Sequence, residues 1–156
     1  METWELGARE AIRELIARYN SFGDRGRIAE LAGLFAPDGV LEAGGRRHTG
    51  PGAIAAFLTS LVGAGPGGAG RPEAVRHFTA ATWIEIVDRR TARAGSSFEV
   101  LTARGFDHCG RYDDELTVVD GNWRFARRRA VTEIAVAGGW ADARLTVTGT
   151  SRRTRR

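Results

Sequence analysis

Helical hydrophobic patterns occupy the first part of this chain and strand-like patterns the second, and this order decides the class of fold. Before residue 63, apolar residues recur at the three- and four-residue steps that place them on one face of a helix. After residue 74 come long segments rich in Val, Ile, Thr, Phe and Trp. Helices that do not alternate with strands favour an α+β fold over a parallel α/β fold.

Three helices are predicted, at residues 5–21, 26–35 and 51–62. The second is expected to stop before Pro37, because the residue preceding a proline is disfavoured in a helix. The apolar positions of the first helix are Ala8, Ile12, Leu15, Ile16 and Tyr19. Only a short apolar piece, Val40 and Leu41, lies between the second and third helices.

Four long strands are predicted to form an antiparallel meander. They cover residues 75–87, 92–105, 107–119 and 122–136. Asp120 and Gly121 suit a two-residue hairpin turn between the last two strands. We expect the helices to cover one face of a curved, mainly antiparallel sheet and to leave a pocket between helices and sheet, as in a cone.

The 156 residues are expected to form one domain at 1–140, followed by an extension at 141–156. Residues 63–70 contain too much glycine for a regular element and predict a flexible loop. Residues 145–148 could form one more strand or pack across the surface. The arginine-rich end is expected to be a solvated, disordered tail.

Charge and composition exclude several classes of function. Four of the five final residues are arginine, so without them the net charge of +4 falls to zero, and we expect no specific binding of nucleic acid. No stretch is long and apolar enough to span a membrane, and the amino end does not resemble a signal peptide, so we expect a cytoplasmic protein. Cys109 alone cannot form an internal disulfide, and the three histidines give no zinc-binding spacing.

Residues 65–70, GPGGAG, match the dinucleotide-binding pattern G-x-G-x-x-G in sequence but not in predicted structural context. That pattern works where a strand turns into a helix, whereas here it follows a helix and leads to a strand. The chain contains no lysine, which excludes Schiff-base chemistry through that residue.

Two polar residues near the end of the first helix are candidates for a site. Tyr19 lies on the apolar face, where it is either a core aromatic or a hydroxyl donor in the pocket. Asp24 follows the helix and either caps the second helix or faces the pocket beside Tyr19.

Two histidines lie on neighbouring parts of the predicted sheet. His77 opens the first long strand at the mouth of the pocket, and His108 lies near the start of the third, where it could approach His77. Each is either a structural residue or a proton-transfer group. Cys109 should face away from His108 because successive strand residues alternate. His48, in a turn rich in Gly and Arg, is expected at the surface.

Arg127, Arg128 and Arg129 are consecutive on the last strand, so at least one must face inward or lie along the sheet. An inward arginine either pairs with one of the acids at 113–115 on the adjoining strand or binds an anionic or carbonyl group in the pocket.

Several segments resemble the SnoaL-like proteins of the NTF2-like superfamily, which include polyketide cyclases, dehydratases and steroid isomerase-like enzymes. Residues 11–42 resemble the opening helices, with Tyr19 followed five residues later by Asp-Arg-Gly. GPGAIAAFL resembles the third helix, VRHFTAATWIEI the strand that carries the histidine, and GRYDDELTVVDGNWRFARRRAV the closing hairpin.

This resemblance implies a cone-shaped fold that works without metal or organic cofactor and forms a homodimer through the sheet. It implies that a small hydrophobic, carbonyl-bearing, polyketide-like molecule is cyclised, dehydrated or isomerised by acid-base chemistry. The implied catalytic residues are His77, Asp24, Tyr19 and His108, and Arg128 matches the arginine of the last strand. We expect Arg128, Tyr112, Trp83 and Phe57 to bind the substrate. Trp83, Phe98 and Val118 cannot all face one modest pocket, so we expect the leftover apolar area to be buried in the dimer. The alternative is a non-catalytic ligand-binding module or a small subunit of a ring-hydroxylating oxygenase.

Overall fold

The computed structural model describes residues 1–63 and 74–141, and within them three helices pack on one six-stranded sheet. The helices are α1 (Thr3–Asp24), α2 (Ile28–Ala32) and α3 (Gly50–Gly63). The strands are β1 (Phe35–Ala43), β2 (Arg46–Thr49), β3 (Val75–Ile86), β4 (Thr91–Thr102), β5 (Gly105–Val119) and β6 (Asn122–Ala135). The predicted α+β class is confirmed. Most of the predicted loop at 63–70 and nearly all of the extension at 141–156 lie outside the described residues.

The sheet has the strand order β2-β1-β6-β5-β4-β3. Strands β3 to β6 form the predicted antiparallel meander, and β1 joins it by pairing parallel to β6. The β1–β2 hairpin was not predicted, and α2 ends at Ala32 rather than at residue 35. Phe35 instead pairs with Phe125 of β6, so long-range strand pairing overrides the helical spacing of this segment.

Helix α1 packs its apolar face on the inner surface of the sheet. Ile12 and Ile16 are 0% and 3% exposed, and the residues of β4 that face them alternate with exposed ones. Phe98 belongs to this inner row and is 6% exposed. Of Trp83, Phe98 and Val118, Phe98 is therefore not available to a dimer interface, because its side chain is enclosed beneath the helices and lines the cavity.

A bulge in β3 decides which side chains of that strand face inward. The pairing with β4 shifts between Ala80 and Trp83, and Ala81 has a φ of +50°. A bulge adds one residue and reverses the alternation beyond it. His77, before the bulge, lies on the inner side, whereas Trp83 lies on the outer side and is 53% exposed.

The outward position of Trp83 depends on Gly95 of the neighbouring strand. A Cβ added at Gly95 would lie 2.4 Å from the indole nitrogen of Trp83, so only glycine leaves room for the ring. Trp83 is therefore not among the residues that line the cavity between helices and sheet, and the structure does not place it against a substrate there.

Candidate functional site

An apolar cavity of about 120 Å³ lies between the helices and the inner face of the sheet. The apolar wall is formed by Ile28, Leu31, Leu41, Phe57, Leu58, Val75 and Phe98. The polar groups that line it are Tyr19, Asn20, His77, His108, Tyr112, Thr132 and Trp140. A few polar groups in an apolar cavity are typical of a small-molecule site.

His77 lines this cavity and is closely bonded to Asp24, which lies behind it and does not itself line the cavity. The Oδ1 atom of Asp24 lies 2.6 Å from Nδ1 of His77, and its Oδ2 atom accepts the backbone N–H of His77 at 3.1 Å. A carboxylate at Nδ1 fixes the proton of a neutral imidazole on that nitrogen and leaves the lone pair on Nε2. The pair therefore presents a base, Nε2 of His77, whose ring is oriented by a carboxylate that is itself bonded to the backbone of His77.

The position of Asp24 favours this pairing over a capping role. The residue that caps the amino end of α2 is Arg27, and no side chain bonds to that end. Asp24 is instead the last residue of α1, where the helix dipole disfavours a negative charge. The backbone N–H and the Nδ1–H of His77 donate to the carboxylate of Asp24 and compensate for its unfavourable position at the end of the helix.

His108 lies in the same row of the sheet as His77. Val100 of β4 is the partner of both residues, so the two histidines share the inner face and are two strand spacings apart, about 10 Å between Cα atoms. The Nδ1 atom of His108 is 2.7 Å from Oδ1 of Asp107. The pKa of His108 is lowered because burial disfavours the imidazolium, although Asp107 opposes this effect. His108 is therefore neutral near pH 7.

Asp107 was not predicted as a site residue because adjacent strand residues normally face opposite sides. The pairing of β5 with β4 shifts at this point, from His108↔Val100 to Phe106↔Leu101, so Asp107 is an extra residue. This irregularity lets both Asp107 and His108 be buried, at 5% and 2% exposure. A bulge at that position is the only way the two side chains could meet, and the sequence carries no clear signal for it.

Two tyrosines complete one side of the cavity. The rings of Tyr19 and Tyr112 meet edge to face with their centroids 5.8 Å apart. Burial raises the pKa of each hydroxyl, so both remain protonated at neutral pH. Tyr112 donates to Oδ1 of Asn20 at 3.2 Å, and Asn20 donates to the hydroxyl of Thr79 at 2.5 Å.

Arg128 is the arginine that faces inward, but it does not line the cavity. Its guanidinium donates twice to Asp114, at 2.8 and 2.6 Å, and both side chains are 0% exposed. The rings of Tyr19, Tyr112 and Phe125 surround it at 4.2 to 4.3 Å. Burial lowers the pKa of Arg128, but Asp114 together with Tyr19 and Tyr112 raises it, so the net shift is upward and the group stays charged. This placement favours the ion-pair interpretation over direct contact with a substrate.

Of the remaining predicted residues, Phe57 does line the cavity. Its ring stacks on His48 with centroids 4.0 Å apart, so His48 is half-buried rather than a surface residue as predicted. Reasoning from the sequence missed Asn20, Phe98, Thr132 and Trp140 as lining residues.

The residues that the structure describes contain no group of three His, Cys, Asp or Glu side chains that could hold a metal ion. Among the same residues, no helix is both long and apolar enough to cross a membrane.

A curved sheet that is covered by helices and encloses an apolar cavity is the arrangement of the NTF2-like cone fold. Residues 4–129 match the model of the SnoaL-like domain, which covers most of the chain. The protein belongs to the SnoaL-like family, and the resemblance inferred from the sequence is confirmed. No curated protein sequence matches the chain.

Solved structures support the same fold. A proposed scytalone dehydratase from Novosphingobium aromaticivorans has 25% identity and a TM-score of 0.73, with 87% of this chain and 91% of that chain covered. A protein of unknown function from Mycobacterium tuberculosis has 27% identity and a TM-score of 0.72, with coverage of 86% and 77%. The beta subunit of a proposed aromatic-ring-hydroxylating dioxygenase from Novosphingobium aromaticivorans shares the fold at 19% identity and a TM-score of 0.68, with coverage of 85% and 93%.

Proposed function

We propose that this protein is a cofactor-independent enzyme that moves protons on a hydrophobic, carbonyl-bearing small molecule of the polyketide type, as a cyclase, dehydratase or isomerase. The observation that carries the proposal is the two-point bond between Asp24 and His77 at the wall of an apolar cavity. The similarity to a proposed scytalone dehydratase supports it.

In this mechanism Nε2 of His77 removes a proton from the carbon next to the carbonyl group. The imidazolium that forms is stabilised by the carboxylate of Asp24, which already accepts the Nδ1 proton. The side chain of His77 is 20% exposed, so solvent also helps to stabilise the positive charge. In an isomerisation the proton is then returned to another atom of the substrate. In a dehydration its removal is followed by loss of a leaving group.

Tyr19 and His108 act on the substrate oxygens. Tyr19 is protonated, so its hydroxyl can donate to an oxygen that gains negative charge. Neutral His108 donates its Nδ1 proton to Asp107, which leaves Nε2 as an acceptor. A substrate hydroxyl group can donate to that nitrogen.

A non-catalytic ligand-binding role is the second candidate. It is favoured by the apolar wall of the cavity, which would bind a hydrophobic molecule whether or not a proton moved. The dioxygenase beta subunit with the same fold is consistent with it, but at 19% identity that likeness concerns the fold alone.

Exchange of protons for deuterons next to a carbonyl group distinguishes the two functions without knowledge of the natural substrate. We expect the protein to accelerate exchange at the activated position of 2-tetralone in D₂O, followed by NMR. His77→Asn should lower the rate at least about 100-fold, because the general base is lost. Asp24→Asn should lower it less, because the imidazole remains but its orientation and tautomer are no longer fixed.

The matched control is His48→Asn, since His48 is a half-buried histidine that does not line the cavity. Its exchange rate should equal that of the unchanged protein. A folded His77→Asn variant with full activity would remove the mechanism. Absence of exchange with the unchanged protein would favour the ligand-binding role.

A further inference from the structure

The segment that follows β6 closes one side of the cavity and is fastened by Asp107. The backbone N–H of Trp140 donates to Oδ2 of Asp107 at 2.7 Å, and that of Ala141 donates to Oδ1 at 3.2 Å. Val136 donates through its backbone to the carbonyl oxygen of Asp107 at 2.9 Å. A Cβ at Gly139 would lie 2.8 Å from Oδ2, so the close approach of this turn to the carboxylate requires glycine.

The same carboxylate bonds to Nδ1 of His108, so it fixes Trp140 and His108 relative to each other. The two rings are 6.0 Å apart between centroids and tilted by 51°, and both residues line the cavity. Asp107 thus holds an indole and an imidazole side by side in the wall of the cavity.

The indole nitrogen of Trp140 is buried and has no hydrogen-bond partner among the described residues. Three other buried side-chain atoms of the described chain share this property, on His48, Ser96 and Arg128, but none of those residues lines the cavity. A buried donor without a partner is unfavourable, because it has lost its bonds to water. Of these four residues Trp140 is the one that borders the cavity, so a molecule bound there is the nearest source of the missing partner.

We propose that the indole N–H of Trp140 binds an acceptor oxygen of the ligand, and that this selects carbonyl-bearing molecules over hydrocarbons of the same shape. Neutral His108 supplies an acceptor beside it, so Trp140 provides the donor that the imidazole lacks. A hydroxyl group could satisfy both at once. This inference rests on the proposed function in that it names the group by which the substrate is recognised.

Acetophenone and ethylbenzene test the proposal, because they have nearly the same shape and differ in the carbonyl group. We expect the protein to bind acetophenone about three- to tenfold more tightly, as one neutral hydrogen bond implies. In ¹⁵N-labelled protein, acetophenone should shift the indole proton signal of Trp140 downfield, and ethylbenzene should not. The signal is assigned by its loss in Trp140→Phe.

Trp140→Phe keeps an aromatic ring in the wall and removes the N–H. This variant should bind the two compounds with equal affinity. Its Kd for ethylbenzene should lie within about twofold of the Kd of the unchanged protein. Trp83→Phe is the matched control, because Trp83 lies on the outer face, and it should keep the preference for acetophenone. Thermal unfolding shows whether each variant is folded.

Equal affinity of the unchanged protein for both compounds, or no binding of either, would overturn the proposal. So would a Trp140→Phe variant that still prefers acetophenone. These measurements involve no reaction. A protein that prefers acetophenone through Trp140 but catalyses no His77-dependent exchange would refute the proposed catalysis and retain the recognition.

Discussion

Replacing Arg128 by methionine should destabilise the protein more than any other single arginine substitution on β6. The side chains of Arg128 and Asp114 are both 0% exposed and joined by two short hydrogen bonds. Arg128→Met would leave the carboxylate of Asp114 buried without its positive partner, and breaking a buried pair in this way typically costs about 3–5 kcal/mol. Three aromatic rings around the guanidinium would also lose a cation.

The free energy of unfolding is measured by urea titration with linear extrapolation. For a chain of this length, a loss of about 3–5 kcal/mol corresponds to a fall in Tm of roughly 6–20 °C. The matched control is Arg127→Met on the neighbouring position. Arg127 pairs with Glu42 and Glu115 but its side chain is 39% exposed, so its loss should cost less than about 1 kcal/mol.

A double variant separates the effect of losing the arginine from the effect of leaving the Asp114 carboxylate buried without a partner. Arg128→Met combined with Asp114→Leu removes both charges, and an apolar pair of similar volume often replaces a buried ion pair at little cost. We expect the double variant to be at least about 2 kcal/mol more stable than Arg128→Met alone. The reasoning would be refuted if Arg128→Met cost less than about 1 kcal/mol, or if the second substitution destabilised the protein further.

Two further predictions concern pH and association. Because burial lowers the pKa of His108 below its usual 6.5, the unfolded chain takes up this proton first as the pH falls, so the free energy of unfolding should decrease below about pH 6.5. His108→Gln should show a shallower decrease in urea titrations at pH 7.5, 6.5 and 5.5, and parallel curves would contradict the assignment. We also propose a homodimer through the outer face of the sheet, where Phe78, Phe106 and Ile134 are 51%, 41% and 59% exposed. Light scattering should give the mass of two chains at micromolar concentration and of one chain for Ile134→Glu, whereas a monomeric unchanged protein would exclude the proposal.

The elements that the sequence predicted well are those whose pattern is local. Helix α1 has a long apolar stripe, and β5 and β6 are joined by an Asp-Gly turn whose two residues both have positive φ. The β1–β2 hairpin was missed because β1 contains Pro37 and Gly39 and pairs with a strand about 90 residues away. No local pattern reports such a pairing.

The candidate site was predictable in residue type but not in geometry. Asp24 and His77 are 53 residues apart, and their bond depends on how the end of α1 lies against β3. Strict alternation of strand residues does not predict the bulges at Ala81 and Asp107. The bulge at Ala81 turns Trp83 outward, and the bulge at Asp107 lets that side chain bond to His108. Sequence patterns therefore predict which chemistry is available, whereas irregular backbone positions decide which side chains meet.

The two imidazoles differ in what the cavity allows them to do. Each has a carboxylate at Nδ1, so each offers Nε2 to the cavity, but the side chain of His77 is 20% exposed and that of His108 only 3%. Burial lowers the pKa of His108 despite Asp107, which makes a positive charge there unfavourable. His77 keeps contact with solvent, which would stabilise the imidazolium that the proposed proton removal creates. The same pairing of histidine with aspartate thus supports a base at the edge of the cavity and a neutral acceptor in its interior, and the depth of burial decides between the two roles.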